Sequence, residues 1–585
     1  MRKSVRPTIL GLIFLFSLSC APAILKPGLS PSGPDEVGWA RKTLARMTLE
    51  DKIGQMIACR YMGTFVSSDS DYLKDLVGLI RRQKIGGLII FGGEVYETTH
   101  LTNFLQEKAR IPLLIAADFE WGAGMRINGT TLFPPFMALG ATASKDLVYQ
   151  MGRVTAVEAR AMGIHMTYAP VVDVNINPDN PIISVRSLGE NPEAVSLLAA
   201  AFIRGCQENG LVATAKHFPG HGDTNLDSHT LLPTIAGDQE RLEKVELYPF
   251  SRAIQAGVEA IMSAHLSVPA LDPRPNLPAT LSYPILTGLL RKQMGFKGLI
   301  VTDALDMGGI TRSFSTREAA VQAVRAGADV LLLPPEPAEA IEALVEAVSS
   351  GEIPESRIHA SAAKILELKA RLGLHRNRLA KVNQLPLRVA TKEHLDLSAL
   401  AFEKSVTLVK NEADILPLCP ERLQKKMAVF SLSSDPDDYY AGSVLVKEVE
   451  KRRPEVVSAY ADAFTGQEYV HRAREEAKDA ETVVFALFSR LRTAKGTVDV
   501  IPQQVELVKE FATGPARIIV ISFGSPYFLR HFPEVDAYVC LYRDTDQAQE
   551  TAAKALFGEI EVNGTLPVSI PGLFPVGHGI KMSAR

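Results

Sequence analysis

The 585-residue sequence has few cysteines, five in all. One of them lies near the N-terminus. The others are far apart in the chain, with neither the Cys-x-x-Cys spacing of metal sites nor the pattern of a disulfide framework. This scarcity argues against a disulfide-stapled scaffold. We expect buried free thiols at Cys59, Cys206, Cys419 and Cys540.

The sequence also has no large excess of either positive or negative charge. The chain carries 63 basic and 66 acidic residues, a formal net charge of -3, so no global field favours nucleic acid or an anionic membrane surface. Apolar residues make up 46% and charged residues 22%, which is ordinary globular composition and enough for a core in two or three domains. We therefore expect a small or uncharged ligand as the partner.

A long apolar run is found at the N-terminus, where residues 9–16 follow a basic start and precede Ser-Leu-Ser-Cys. This order is typical of a bacterial export signal, so residues 1–20 are predicted to lie outside the fold. The Leu-Ser-Cys ending resembles a lipobox, in which cleavage before Cys20 leaves a lipid-modified N-terminus. A retained membrane anchor and simple secretion are the alternatives. Residues 21–35, rich in Pro, Gly and Ser, are predicted to be a linker.

No Gly-x-Gly-x-x-Gly follows the first predicted strand, which argues against a dinucleotide-binding fold. Eight short apolar runs instead alternate with amphipathic segments typical of helices. Because parallel strands need covering crossovers and eight of them close a sheet, this pattern predicts an α/β fold with a (β/α)8 barrel over residues 36–375. A doubly wound open sheet is the alternative. The predicted strands are residues 55–59, 87–91, 113–117, 165–170, 212–216, 260–264, 299–302 and 329–333.

Ionisable residues follow five successive predicted strands. Each alone could be a capping or surface residue, but the carboxyl ends of barrel strands form one rim, which is the usual place of the active site. Five such strand ends in succession therefore indicate function. The residues are Asp118 and Glu120 after the third strand, Asp173 after the fourth, Lys216 and His217 after the fifth, His265 after the sixth and Asp303 after the seventh.

The densest group of such residues is the segment 216–229, which reads Lys-His-Phe-Pro-Gly-His-Gly-Asp-Thr-Asn-Leu-Asp-Ser-His. Three interpretations of this loop are open from the residues alone. Its histidines and aspartates could bind a divalent metal, since imidazole and carboxylate are ordinary zinc ligands. Asp227 and His229 could be a carboxylate-oriented acid/base. The residues could also merely hydrogen-bond one another.

This segment closely resembles the signature of glycoside hydrolase family 3, in its β-N-acetylglucosaminidase branch. In that branch the Asp-x-His pair is the general acid/base and no metal is used, so the resemblance implies these roles for Asp227 and His229 and no cofactor. Residues 301–310, Val-Thr-Asp-Ala-Leu-Asp-Met-Gly-Gly-Ile, resemble the nucleophile motif of the family. Asp303 matches the nucleophile, although an aspartate after a buried strand could otherwise be a helix cap.

Two further stretches resemble the substrate-binding motifs of the family. Residues 117–122 are similar to its Asp-x-Glu-Gly-Gly stretch, whose aspartate, here Asp118, binds sugar hydroxyls; Trp121 interrupts the glycine pair. Residues 180–189 are similar to its Asn-Pro-x-x-x-x-Arg-Ser-Phe-Gly stretch, with Leu188 in place of Phe. The resemblance implies a substrate-binding role for Asp118, Arg186, Lys216 and His217, and His265 is expected to line the same pocket.

The C-terminal part is predicted to be a smaller α/β domain at residues 393–585, after a linker at 376–392. Its strands are predicted at residues 401–409, 427–431, 482–488, 517–522 and 537–542. Residues 405–411 and 564–568 resemble the C-terminal domain of the family. The stretch Phe523-Gly524-Ser525-Pro526 could cap a helix or reach the mouth of the active site, and we favour the cap.

The resemblance implies an exported, lipid-anchored, retaining exo-β-N-acetylglucosaminidase. Peptidoglycan fragments or chitooligosaccharides are the substrates that it suggests. A β-N-acetylglucosaminide or β-glucoside phosphorylase, or a β-glucosidase, is the alternative on the same scaffold, because a histidine acid/base places no negative charge near an attacking phosphate. A silent glycan-binding lipoprotein and a metal-dependent deacetylase are the interpretations from other classes.

Overall fold

The computed structural model describes residues 33–419, 426–435, 438–489 and 500–585. The predicted signal peptide, with Cys20, and residues 21–32 of the predicted linker lie outside these ranges. Within them, no helix is long and apolar enough to cross a membrane.

The first sheet is a nearly closed parallel barrel of eight strands in the order β8-β7-β6-β5-β3-β2-β1-β9, as the sequence predicts. Strand β9 pairs with β1, and a bridge from Val301 at the end of β8 to Val330 brings the two edges of the sheet together. The short β4 pairs with β2 outside this path. The strands are β1 (Ile57–Gly63), β2 (Gly87–Glu94), β3 (Leu114–Ala117), β4 (Ile127–Asn128), β5 (Met166–Thr167), β6 (Val212–Phe218), β7 (Ala260–Ser263), β8 (Leu299–Val301) and β9 (Leu331–Leu332).

Most residues of the barrel strands are buried, because side chains fill the interior and helices cover the outside. Every residue of β3 and of β6 is buried, which explains why these strands are continuous apolar runs rather than alternating ones. All eight predicted runs overlap an observed strand.

Helices connect the strands, and short polar side chains begin several of them. Thr48 and Ser315 form capping boxes, and Asn191 accepts two backbone N–H groups at the start of its helix. The helices are α1 (Pro34–Leu44), α2 (Leu49–Gln55), α3 (Asp71–Arg81), α4 (Val95–Lys108), α5 (Phe136–Thr142), α6 (Lys145–Ala161), α7 (Pro192–Glu208), α8 (Gln239–Lys244), α9 (Leu247–Gln255), α10 (Gly308–Thr311), α11 (Thr316–Ala326), α12 (Pro337–Ser349) and α13 (Glu355–Arg371), with a π-helix at Pro284–Gln293 and 3₁₀ turns at Ala123–Met125, Ser184–Arg186, Ala279–Leu281 and Val382–Leu387.

A second sheet has six strands in the order β10-β15-β14-β13-β11-β12. Strand β10 is antiparallel to β15, and the other pairs are parallel. The strands are β10 (Thr407–Asn411), β11 (Met427–Ser433), β12 (Val456–Ala461), β13 (Thr482–Phe488), β14 (Arg517–Ser522) and β15 (Ala537–Cys540). The helices are α14 (Lys392–Ser405), α15 (Ser443–Arg452), α16 (Gln467–Ala477), α17 (Pro502–Ala512) and α18 (Asp546–Leu556), with 3₁₀ turns at Glu412–Asp414 and Pro526–His531.

The structure differs from the prediction for this second domain in two strands. Residues 401–409 were expected to form one strand, but α14 extends to Ser405 and the strand begins at Thr407. Ala401 and Phe402 lie in helix α14 and are buried. In the sequence, a short buried helical segment and a buried strand are the same kind of apolar run. Strand β12 was not predicted, because it is a half-exposed edge strand with only one fully buried residue. The domain boundary at 376–392 stays a prediction.

The two domains share apolar packing. Met137, Ala138 and Ala141 of the barrel helix α5 are buried in the same cluster as side chains of the second sheet. Polar bonds add to this contact, since Glu190 accepts hydrogen bonds at 2.8 Å from both the backbone N–H and the hydroxyl of Ser569. The predicted thiols Cys59, Cys206, Cys419 and Cys540 are free and buried, as expected.

Candidate active site

A cavity of about 480 Å³ opens at the carboxyl ends of the barrel strands. Its size lies within the range of about 300 to 1,000 Å³ that is usual for ligand sites. The second domain contributes Arg543 to it. The polar and charged side chains that line it are Arg60, Asp118, Glu120, Arg126, Arg186, Lys216, His217, His221, Ser228, His229, Asp303, Asp306 and Arg543.

Lys216 lies between two carboxylates that follow β3. Its Nζ is 2.9 Å from Oδ1 of Asp118 and 2.7 Å from Oε1 of Glu120, and Arg126 donates to the other oxygen of Asp118 at 3.0 Å. Burial lowers the pKa of Lys216, but the two carboxylates outweigh it and the pKa lies above its ordinary value. The ammonium group therefore stays charged and is held in one position.

Arg186 is fixed by Glu120, which it grips with two hydrogen bonds of 2.8 Å. Such bidentate geometry orients the guanidinium and leaves less of its rotamer entropy to be lost on binding a ligand. Burial raises the pKa of Glu120, but Arg186 and Lys216 outweigh it and hold the pKa well below its ordinary value. Glu120 was noted at the strand end but not assigned to the site, because its role becomes visible only when Arg186 folds back onto it.

Asp173 anchors the segment that carries His217. Its carboxylate accepts the backbone N–H of His217 at 3.1 and 3.2 Å, the backbone N–H of His221 at 2.7 Å, and lies 2.6 Å from Nδ1 of His217. The pairing of β6 with β7 is irregular between Ala215 and Phe218. Such an irregularity changes the direction of the side chains that lie within it, here those of Lys216 and His217. The other ring nitrogen of His217, Nε2, is 3.4 Å from Arg186.

His221 is a nearly fully buried part of the cavity wall, and both of its ring nitrogens bond within the loop. Its Nδ1 is 2.9 Å from the hydroxyl of Thr224 and its Nε2 is 2.9 Å from the hydroxyl of Ser228. Burial, with the neighbouring His217, lowers its pKa to about 4. The ring is therefore neutral near pH 7 and braces the loop that carries Asp227 and His229. The third of the sequence interpretations, internal hydrogen bonding, applies to this residue.

Asp227 and His229 form the predicted pair. Oδ1 of Asp227 is 2.7 Å from Nδ1 of His229 and also accepts its backbone N–H at 2.9 Å. The carboxylate is buried, while 30% of the His229 side chain is exposed at the cavity. With Nδ1 held in this way, Nε2 is the nitrogen left for a substrate.

Asp303 follows β8 and lines the same cavity. Its backbone N–H donates to Ser263 at 3.1 Å, and its Oδ1 accepts the N–H of Ala304 at 2.8 Å. Burial raises the pKa of the carboxyl, but His217, His265 and His229 outweigh it and the pKa lies below its ordinary value. The carboxylate is therefore ionised and close to the imidazole of His229.

The prediction that His265 lines the pocket is wrong. The side chain is fully buried, with Nδ1 2.9 Å from the hydroxyl of Thr280 and Nε2 2.8 Å from the carbonyl oxygen of Ala304. Both ring nitrogens are thus engaged by the protein. Because Ala304 directly follows Asp303, His265 supports the backbone beside Asp303 instead of a ligand.

The sequence did not single out two arginines of the cavity wall, Arg60 and Arg543. Arg60, from β1, pairs with Asp306 at 2.8 Å and lies 4.4 Å from the ring centroid of Phe91. Arg543 reaches in from the second domain and lies 4.5 Å from the ring centroid of Trp121. For Arg60 a strand-end position was a usable signal, whereas nothing in the local sequence around residue 543 marks it as part of a barrel site.

The donors of the metal interpretation bind separate partners. His217 bonds to Asp173, His221 to two hydroxyls, and Asp223 to Arg241. Across the described ranges, no three His, Cys, Asp or Glu side chains converge as a metal site requires. The fold and the cavity define the class of protein as an α/β-barrel enzyme. Its rim holds an ionised carboxylate near a carboxylate-oriented histidine, which are the groups that a glycosidase needs.

Comparison with known proteins names this class more closely. The model of the glycosyl hydrolase family 3 N-terminal domain matches residues 48–368, and that of the C-terminal domain matches residues 406–574. These matches cover most of both sheets. The chain therefore belongs to glycoside hydrolase family 3, and it is a glycoside hydrolase.

Relatives of nearly full length share this architecture. A β-N-acetylglucosaminidase/β-glucosidase of Cellulomonas fimi is 30% identical over 553 residues, which cover 91% of this chain and 96% of the relative. The solved structure of a family 3 β-N-acetylglucosaminidase from Paenibacillus sp. str. FPU-7 superposes with a TM-score of 0.80 at 35% identity, over 90% of this chain and 99% of that one. A solved β-glucoside phosphorylase bound to 2FGlc gives a TM-score of 0.83 at 25% identity, over 92% and 97%.

Proposed function

We propose that the protein is an exported exo-β-N-acetylglucosaminidase that works with retention of configuration, with Asp303 as nucleophile and His229 as general acid/base. The observation that carries this assignment is the Asp227–His229 pair at 2.7 Å in a cavity that Asp303 also lines. Two of the relatives described above are named β-N-acetylglucosaminidases, which supports the choice of sugar.

In the first step, a carboxylate oxygen of Asp303 bonds to the anomeric carbon while the bond from that carbon to the leaving oxygen breaks. The proton on Nε2 of His229 moves to the leaving oxygen, so the departing sugar leaves as a neutral alcohol. In the second step, the same nitrogen takes a proton from water as the water oxygen displaces Asp303. The cycle returns both residues to their starting states.

Asp227 makes this histidine suitable for the task. Its buried carboxylate holds the Nδ1–H and stabilises the imidazolium, as carboxylates do in other dyads. The lowered pKa of Asp303 keeps the nucleophile ionised. Asp118, Lys216, Arg186 and His217 are then the groups placed to hydrogen-bond the hydroxyls of the sugar being cleaved.

The N-terminal sequence supports an export and anchoring proposal. With Cys20 as the acylation site, the mature protein is held at the cell envelope by its lipid, and substrates are glycans met there, such as peptidoglycan fragments or chitooligosaccharides. This placement rests on the sequence of residues 1–20 alone.

A phosphorylase is the second candidate. The likeness to a β-glucoside phosphorylase favours it, and so does the acid/base type, because a neutral imidazole does not repel an attacking phosphate as a carboxylate does. The Cellulomonas fimi relative also names β-glucosidase activity, so glucosides belong in the same assay.

The deciding assay compares nitrophenyl β-N-acetylglucosaminide with nitrophenyl β-glucoside, in phosphate-free and phosphate buffer, and follows the product by NMR. We expect faster turnover of the N-acetylglucosaminide and release of free β-configured sugar in both buffers. A sugar 1-phosphate as the main product in phosphate would establish the phosphorylase instead, and an inverted product would overturn the mechanism.

A further inference from the structure

A hollow of about 220 Å³ lies at the amino end of the barrel, opposite the candidate active site. Its residues come just before three adjacent strands: Asp51 and Gln55 precede β1, Lys84 precedes β2 and Arg110 precedes β3. These strands are parallel, so the three segments meet at the same end of the sheet. No role assigned above uses this hollow.

Positive charge dominates the lining of this basic hollow. Burial raises the pKa of Asp51, but Lys84 and Arg110 outweigh it and hold the pKa below its ordinary value, so the carboxylate is ionised. Glu50 and Glu107 are exposed nearby in the chain but do not line the hollow. The charged side chains that line it are Arg81, Lys84, Lys108 and Arg110, against Asp51 alone.

Two of the four cations are held in place by the protein. Asp51 pairs with Lys84 at 2.5 Å and with Arg110 at 2.6 Å. The side-chain amide of Gln55 donates to the carbonyl oxygen of Lys84 at 3.0 Å, which fixes the backbone of that loop. These groups are therefore positioned before a ligand arrives, which reduces the cost of binding.

Arg81 and Lys108 add positive charge that no carboxylate compensates. Neither of them forms an ion pair with any residue of the chain that the structure describes. Arg81 is exposed at the end of α3, and the ammonium group of Lys108 lies 4.2 Å from the ring centroid of Phe104. A basic residue in the last turn of a helix commonly compensates the helix dipole. Here two helix ends bring such residues to the same hollow as Lys84 and Arg110, so the charge is concentrated at one position.

The chemistry of this lining suits a phosphate group. Guanidinium groups bind phosphate oxygens through paired hydrogen bonds, and ammonium groups bind them as point charges. The volume is below the range of about 300 to 1,000 Å³ that is usual for whole ligands, which favours a single charged headgroup. The overall charge of the chain is -3, so attraction to an anion comes from this hollow and not from the whole molecule.

The N-terminal helix lies beside the basic hollow. Ile111, which lines the hollow, is buried in the same apolar cluster as Ala40 and Leu44 of α1. The chain from Cys20 to the start of α1 can span at most about 45 Å. With a lipid on Cys20, the amino end of the barrel is therefore the end tethered beside the membrane, where nearby Lys and Arg side chains are attracted to anionic headgroups.

We propose that the basic hollow binds the phosphate of an anionic membrane phospholipid. This inference rests on the envelope anchoring proposed above and deepens it, because a second contact fixes the orientation of the tethered enzyme. With the amino end of the barrel docked on the membrane, the cavity at the carboxyl end faces away from the lipid and toward the glycans outside it.

The test uses the full chain with Cys20→Ser, which removes the acylation site. Its sedimentation is measured with vesicles of phosphatidylcholine alone and with vesicles of equal parts phosphatidylcholine and phosphatidylglycerol. An apolar N-terminus contributes equally to both, so the ratio of the two affinities isolates the electrostatic contact. We expect the chain to prefer the anionic vesicles by about 10-fold or more, and Arg81→Gln/Lys108→Gln to remove most of that preference.

Arg312→Gln/Lys581→Gln is the matched control, because it removes the same charge from exposed positions outside the hollow. An unchanged preference in Arg81→Gln/Lys108→Gln, or the same loss in the control, would overturn the proposal. Inorganic phosphate that binds in calorimetry, with no preference of the chain for anionic vesicles, would assign the hollow to a soluble phosphate and overturn the lipid assignment.

Turnover of the nitrophenyl substrate is expected to be unchanged in all these variants and monitors their folding, since the hollow is at the opposite end from the cavity. If the double variant does not fold, Arg81→Gln alone gives the same comparison, with an expected loss of about 5-fold in the preference. Failure of the lipid anchor is seen in cell fractionation and failure of the headgroup site in the vesicle ratio, so the two failures are distinguishable.

Discussion

At the residue scale, the charged side chains on one side of the cavity form ion pairs with one another. Lys216, Arg186 and Arg126 are each paired with Asp118 or Glu120, so these buried charges are compensated before any sugar binds. Such pairing fixes donors and acceptors in position, which is what an enzyme needs in order to stabilise a transition state without reorganisation.

Asp303→Ala or Asp303→Asn is expected to reduce kcat by several orders of magnitude with an unchanged fold, because loss of the nucleophile removes the glycosyl-enzyme pathway. The measurement is turnover of the nitrophenyl substrate, with circular dichroism to monitor folding. Asp306→Asn is a matched control from the same loop and should cost far less. Near-normal turnover of the Asp303 variants would contradict the assignment.

His221 gives a pH-dependent stability. Its folded pKa of about 4 lies below the ordinary 6.5, so the unfolded chain binds the extra proton between these values and stability is lost as pH falls from 6.5 toward 4. At 1.36 kcal/mol per pKa unit, the contribution is about 3 kcal/mol. We expect thermal unfolding midpoints of His221→Asn to fall less steeply than those of the wild type over this range. Parallel pH profiles of the two proteins would contradict this role for His221.

At this scale, the sequence indicated Asp118, Arg186, Lys216, His217, Asp227, His229 and Asp303, and the structure brings all seven into or beside one cavity. Strand-end position and motif were enough for these. The same signals gave a wrong prediction for His265, because a position at a strand end does not determine the orientation of the side chain. Arg543 could not be found, since its contact with Trp121 joins residues more than 400 positions apart.

At the element scale, the two ends of the barrel have different tasks. The carboxyl-end rim carries the cavity, while a buried aspartate, Asp329, holds the opposite end together. Its carboxylate accepts the hydroxyl of Ser361 at 2.6 Å and the N–H of Ile300 at 3.1 Å, and it pairs with Arg291. It thus ties β8, the start of β9 and helix α13 to one another.

Asp329→Ala should destabilise the barrel by about 3 to 5 kcal/mol, because it leaves Arg291 and neighbouring cations uncompensated. Glu352→Ala, which breaks the exposed pair with Arg325, is the control and should cost less than about 1 kcal/mol. Chemical denaturation followed by fluorescence measures both. Similar losses in the two variants would contradict this role for Asp329.

The elements of the barrel could be predicted from the sequence because each buried strand is an apolar run between helical segments. The second domain was harder to predict. Strand β12 is half exposed, so its burial pattern lacks the apolar run that marks the others. A single residue, Val406, separates the end of helix α14 at Ser405 from strand β10, and nothing in the apolar run marks so abrupt a boundary.

At the scale of the whole molecule, the barrel supplies most of the cavity wall and the second domain contributes Arg543 to it. Apolar packing around Met137 and Ala138 holds the two together, so the position of Arg543 over Trp121 is set by the domain interface. Substitutions at that interface are therefore expected to displace Arg543 from Trp121 as well as to lower stability.

Cys20→Ser tests the envelope proposal. Two or three acyl chains hold a protein on a membrane stably, whereas one does not, so the variant should move from the membrane fraction to the soluble fraction or accumulate uncleaved. Fractionation with mass spectrometry of the mature N-terminus measures this. Unchanged fractionation, or a mature N-terminus without lipid, would reject the lipobox interpretation.

We propose that His229, oriented by Asp227, carries the proton in both steps. The most direct measurement is kcat/KM of His229→Ala on a natural disaccharide and on a nitrophenyl glycoside, whose leaving group departs without a proton. We expect a loss of about 10² to 10⁴-fold on the disaccharide and a much smaller loss in the glycosylation step of the nitrophenyl substrate, with Asp227→Ala acting in the same direction. Equal losses on both substrates, or near-normal cleavage of the disaccharide, would contradict it.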